Sequence, residues 1–186
     1  MLQTRTFNWV VLRYAFILSL SLTVTACFTE PQYSNVPQIE FKGLSRYTLE
    51  GGSGVGQQKR DSLVITIGFK DGDGDLGNNI PLSSLDSGRY TQAGGWGNYR
   101  ITAYRLENDQ YQAITSGENT TLYFPQLSRE GQKGAIEGSL DLHQIYHYGT
   151  SYKNYVTKYR IQIRDRNLHV SNEIETDTIT VPYSIR

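Results

Sequence analysis

Alternation of apolar and polar residues is the feature that most restricts what this chain can fold into. From Ser62 to Lys70, Leu63, Ile65, Ile67 and Phe69 face one way, while Ser62, Thr66, Gly68 and Lys70 face the other. From Thr157 to Asp165, Tyr159, Ile161 and Ile163 alternate with Lys158, Arg160, Gln162 and Arg164. A period of two places successive side chains on opposite faces of a sheet, so each stretch predicts a half-buried strand. Ala135 to Leu142 carries Ile136, Leu140 and Leu142 on one face. Asn98–Leu106, Gln110–Thr115 and Thr120–Phe124 read as weaker strands, and Ile39–Gly43 opens the set. Ile174, then Ile179, Val181 and Tyr183, close it with a change of parity, which predicts a bulge near residues 176–178. No 3.6-residue apolar period occurs outside the first 26 residues, and Asp86–Gly97 reads as a long exposed loop. Short strands separated by polar turns predict an all-β fold, an immunoglobulin-like β-sandwich of about seven or more strands over residues 38–186, with a β-barrel as the alternative.

The first 26 residues have a different character. Arg5 and Arg13 precede an apolar run from Tyr14 to Val24, about half of the roughly 20 residues needed to span a bilayer. The run ends in Val24-Thr25-Ala26-Cys27, and this is the one cysteine of the chain. An aliphatic residue, two small ones and Cys resemble the lipobox of bacterial lipoproteins. That resemblance implies a signal peptide over 1–26, a diacylglycerol thioether on the Cys27 thiol and acylation of its freed amine. Two or three acyl chains hold a protein on a membrane where one holds it only marginally. Residues 27–37, with Pro31 and Pro37, form a short extended tether. Position 28 is Phe rather than the Asp that marks inner-membrane retention in well-studied lipoproteins, which favours the outer membrane.

Charge narrows the partners. Eighteen Lys and Arg against eighteen Asp and Glu leave no basic excess, so no nucleic-acid partner is expected. A lone Cys excludes an intramolecular disulfide and a cysteine-based zinc cluster.

The stretch richest in chemistry is Asp71-Gly72-Asp73-Gly74-Asp75-Leu76-Gly77, directly after a strand. Carboxylates held about 5 Å apart repel by roughly 3 kcal/mol per pair at an effective dielectric near 20. Glycines let the backbone turn tightly enough to bring them together. A hard divalent cation relieves the repulsion, and calcium accepts six to eight oxygens, so Asp71, Asp73 and Asp75 are expected to hold calcium. The spacing is not that of an EF-hand: Leu76 occupies the glycine position and Leu82 the position of the final Glu. The Gly77 carbonyl, an Asn side chain or Asp165 would complete the shell. Asp165 follows the second alternating strand, at the same end of an immunoglobulin-like sandwich; pairing with Arg164 or Arg166 is its other expected role.

The lipobox Cys, Gln32-Tyr33-Ser34-Asn35-Val36-Pro37-Gln38-Ile39-Glu40-Phe41, the acidic loop and Tyr159-Arg160-Ile161-Gln162-Ile163-Arg164-Asp165-Arg166 together resemble envelope lipoproteins abundant in Bacteroidota. The resemblance implies a lipid-anchored β-sandwich and brings no activity with it. A structural, adhesive or accessory role, not an enzyme, is the expectation, with the membrane as partner through the anchor and envelope proteins or glycans as further partners. The alternative is a glycan-binding surface lipoprotein. Trp96, in Gly94-Gly95-Trp96-Gly97, and Tyr148 and Tyr152 in a tyrosine-rich stretch would be its stacking platforms. His143 and His147 would share a helical face, but their surroundings read as strand, and no Gly-x-Ser-x-Gly motif occurs.

Overall fold

A computed structural model describes Arg13 and residues 31–54, 58–114, 122–129 and 134–185. Apart from Arg13, the expected signal peptide lies outside the described residues, as do Cys27, the first residues of the tether, and Thr115, Thr120 and Thr121 of the weaker strands.

Eight strands and one helix follow in order: β1 Gln38–Leu49, β2 Arg60–Asp71, α1 Ser84–Gln92, β3 Tyr99–Glu107, β4 Gln110–Ala113, β5 Ile136–His147, β6 Tyr152–Ile163, β7 Ile174–Glu175 and β8 Ile179–Ser184. They form two antiparallel sheets. One has the order β1-β2-β5; the other runs β4-β3-β6, with β7 and β8 both paired to the far side of β6. This is the all-β sandwich expected, with the Greek-key strand order of an immunoglobulin-like fold.

The alternating residues make the core. Leu63, Ile65, Ile67 and Phe69 of β2 meet Tyr159, Ile161 and Ile163 of β6, and Ile39, Ile136 and Leu142 fill in around them. Each large aliphatic side chain withdrawn from water here contributes about 1.5–3 kcal/mol. The parity change near the C-terminus is a bulge, as expected. Between the pairs Glu175–Arg160 and Ile179–Thr157, the β7–β8 strand advances one residue more than β6. Thr176 sits in the gap: its N–H donates to the Tyr159 carbonyl at 2.9 Å, and its hydroxyl accepts from the Tyr159 N–H at 3.1 Å.

Three expectations need correction. The first strand does not stop at Gly43 but runs to Leu49, because a register shift between Phe41 and Gly43 lets it keep pairing with β2. Thr120–Phe124 is not a described strand. Leu122 makes a single bridge to Tyr99, and the buried Asn98 side chain takes over the ladder, donating to the Phe124 carbonyl and accepting from the Phe124 N–H, both at 2.8 Å. Asp86–Gly97 is not an exposed loop. Its first half belongs to α1, capped by the Ser83 hydroxyl, which accepts from the Asp86 N–H at 3.1 Å, and Tyr90 and Trp96 are buried. The helix is short and polar, and Tyr90 is its one buried residue, so it carries no apolar stripe.

Candidate metal centre

Asp71 is the last residue of β2, and Asp165 follows β6 by two positions. The two strands lie in different sheets and end at the same end of the sandwich, where Leu76 bridges Asp165. The loop between turns on Gly74 at φ +70° and Gly77 at φ +84°, in the left-handed region that a side chain disfavours. A Cβ on Gly74 would stand 2.4 Å from the Gly134 carbonyl oxygen, so the turn is packed as well as tight.

The result is convergence. One carboxylate oxygen from each of Asp71, Asp73, Asp75 and Asp165 lies within 4.8 Å of the others. Asp71 and Asp165 are fully buried. Asp71 Oδ2 accepts from the Asp75 N–H at 3.0 Å. Asp165 accepts through Oδ1 from the His169 N–H and pairs through Oδ2 with His169 Nδ1, each at 2.8 Å. Asp71 Oδ1, Asp73 Oδ1 and Asp75 Oδ1 are buried and have no hydrogen-bond partner. Buried acceptors are nearly always satisfied, and a buried unpaired carboxylate is costly.

The electrostatics carry the same message. Burial first, then the Asp73 charge, pushes Asp71 up to about 6. Burial, then Asp165, Asp73 and Asp71, pushes Asp75 up to about 7. Asp165 is also raised by burial, against the opposing bonds from His169, whose own pKa the pairing raises. Without a cation these acids resist ionisation. A cation set among them would turn mutual repulsion into attraction and take up the free oxygens. The donors are all oxygen, which selects a hard cation. The four aspartates therefore form a cluster that could hold a metal ion.

Asp165 thus stands with the acidic loop, as topology predicted. Its other expected role is not seen, since neither neighbouring arginine pairs with it. Arg166 Nε donates instead to the Asp75 carbonyl at 3.1 Å. Arg164 is buried and turns away into the α1 loop. It donates to the carbonyls of Gly97 and Ala93 at 2.8 Å, Tyr90 at 3.3 Å, and Trp96, and it stacks on the Tyr90 and Trp96 rings at 4.7 and 4.1 Å. Nor does Asn78 present a free oxygen: its Oδ1 accepts from the Asn79 N–H, and its backbone pairs with Phe124 and Gln126. Sequence reasoning missed His169 as the partner of Asp165. Its four-residue spacing across a turn was the available signal.

The three aromatic residues do not form one face. Trp96 is 9% exposed and lies between the Arg164 and Arg100 guanidinium groups. Tyr148 and Tyr152 make an edge-to-face pair at 4.6 Å beside the start of β6, at the end of the sandwich away from the aspartates. The Tyr148 hydroxyl is taken by the Asp61 carboxylate at 3.2 Å, and Tyr152 is 46% exposed. His143 and His147 share a face of β5 on either side of Ile145, about 13 Å apart along an extended strand, too far for one ion.

Comparison with known proteins gives no match to a family model, to a curated protein or to a solved structure.

Proposed function

We propose that this chain is a lipid-anchored cell-envelope protein whose sandwich is locked at one end by a structural calcium ion. Asp71, Asp73, Asp75 and Asp165 hold the ion, and Cys27 carries the lipid. The observation that carries the metal reading is the set of three buried, partnerless carboxylate oxygens within a four-carboxylate cluster. Ligand chemistry supports calcium. The donors are all carboxylate oxygens converging within 4.8 Å. Calcium accepts six to eight such oxygens in flexible geometry, whereas magnesium keeps several waters and is seldom held in an all-protein cage.

Burial favours a structural role. The partnerless oxygens are shut off from solvent, which suits an ion that stays and ties strands of two sheets together. The protein's role is then mechanical: a stiff body presented from the membrane, structural or adhesive, as an accessory to a larger envelope assembly. The glycan-binding alternative loses its main platform, because Trp96 is buried under two arginines.

The test is a thermal melt of the soluble chain from Phe28 onward, in about 1 mM Ca²⁺ and in excess EDTA. With a Kd near 10 μM, that concentration adds about 2.7 kcal/mol by mass action. For a domain of this size the midpoint rises by about 5–10 °C. Asp73→Asn is expected to remove most of the shift and, because it relieves repulsion among the acids, to leave the EDTA melt no lower than that of the unaltered chain. An equal melt in both conditions, with no heat of calcium binding, would reject the site.

A further inference from the structure

The residues just before β1 are not slack chain. The Ser34 carbonyl accepts the Gly72 N–H at 2.9 Å, and Gly72 lies between Asp71 and Asp73, two of the four clustered acids. The Ser34 hydroxyl turns back to accept the Val36 N–H at 3.0 Å. Tyr33 anchors the other side of this turn: its hydroxyl donates to Glu137 at 2.8 Å, and Lys70 lies over its ring at 5.5 Å. The fit is close, since a Cβ on Gly72 would stand 2.4 Å from the Tyr33 carbonyl oxygen and 2.9 Å from Asn35 Oδ1. The acidic loop therefore has two sides. One presents carboxylates to a cation; the other, through the backbone between the same carboxylates, holds residues 33–35.

We infer that Tyr33–Asn35 is a strap whose docking is coupled to metal binding. The inference rests on the calcium reading and adds to it a consequence for the tether. An ion fixing Asp71 and Asp73 fixes the peptide plane of Gly72 between them, and so holds its N–H where the Ser34 carbonyl can accept it. Without the ion the crowded carboxylates spread, the Gly72 N–H swings, and the strap loses the contact that seats it. Coupling of this kind is reciprocal: whatever factor the metal lends to strap docking, the docked strap lends to metal affinity. The ion then sets where the folded body ends and free tether begins, at Tyr33 when bound and near Pro37 when absent.

The experiment uses the full chain in detergent, with calcium binding measured by calorimetry and strap docking by hydrogen exchange at the Gly72 and Val36 amides. Calcium is expected to slow exchange at both. Tyr33→Ala removes the anchor without touching the acidic loop and is expected to weaken calcium binding about fivefold, at the lower end of usual coupling factors. Gly72→Ala places a methyl against the strap and is expected to leave Val36 fast-exchanging even in calcium. Calcium binding with unchanged exchange, and with equal affinity in the Tyr33→Ala variant, would overturn the coupling and leave the metal site standing. No heat of calcium binding in the unaltered chain would instead overturn the metal reading, and the strap coupling with it.

Discussion

Asp71 combines a structural bond and an unmet demand in one carboxylate: Oδ2 accepts the Asp75 N–H, while Oδ1 is buried without a partner. The demand has a pH signature. In an unfolded chain the acid titrates near 4. In the fold, burial and neighbouring charges push Asp71 up to about 6 and Asp75 up to about 7. Between about pH 4 and 7 the folded state therefore binds more protons than the unfolded state. The metal-free protein is most stable at the acid end of this window and loses stability as pH rises through it. Calcium needs the ionised acids, so protons compete with it over the same range. Melts in EDTA should fall from pH 5 to pH 8, while the calcium-induced shift should be near zero at pH 5 and full at pH 8. A metal-free midpoint that is flat or rises over this range would mean that the acids are not crowded in the way described.

The strands were legible in the sequence and the helix was not, and the reason is physical. β2 and β6 each bury one face, so their apolar residues alternate, and the same alternation identifies Leu63, Ile65, Ile67, Tyr159, Ile161 and Ile163 as core. The acidic loop was legible because its spacing is local. Asp165 could be added only through topology, and His169 and Arg164 only through contacts across the fold. The α1 loop is held from outside its own sequence. Arg164, directly after β6, binds four of its carbonyls and stacks on Tyr90 and Trp96, so a buried cation stands where an apolar stripe would normally be. No carboxylate among the described residues forms an ion pair with it; the helix C-terminus and the two ring faces supply the negative potential. Arg164→Ala would strand those carbonyls and is expected to cost about 3 kcal/mol, within the range for hydrogen bonds to a charged group. Urea melts should register the loss. Trp96 emission should move to longer wavelength in the native baseline as the loop opens to water, and an unshifted baseline would place the anchor elsewhere.

At the scale of the molecule, the proposed anchor and the fold are separate pieces of chemistry. The described core is closed by residues between Ile39 and Val181, and no helix among the described residues is long and apolar enough to cross a membrane. If Cys27 carries the lipid and the aspartates the ion, attachment comes from acyl chains at about 0.8 kcal/mol per buried CH₂, and stability comes from the sandwich and that ion. The two should then respond independently to mutation. Cys27→Ser is expected to move the protein from the membrane pellet to the soluble fraction and to remove the acyl mass of the N-terminal peptide. The calcium-dependent rise in melting temperature should stay as it was. A Cys27→Ser variant that still sediments with membranes would transfer the attachment to another surface. A loss of the calcium response on delipidation would mean that membrane and metal act on one element. The strap makes that second outcome informative, because Tyr33 lies six residues from Cys27 and contacts β2, which ends in Asp71, through Lys70, and its sheet neighbour β5 through Glu137. In the proposed lipid-anchored protein, a pull on the tether would meet the Ser34–Gly72 bond of the acidic loop before it met the core.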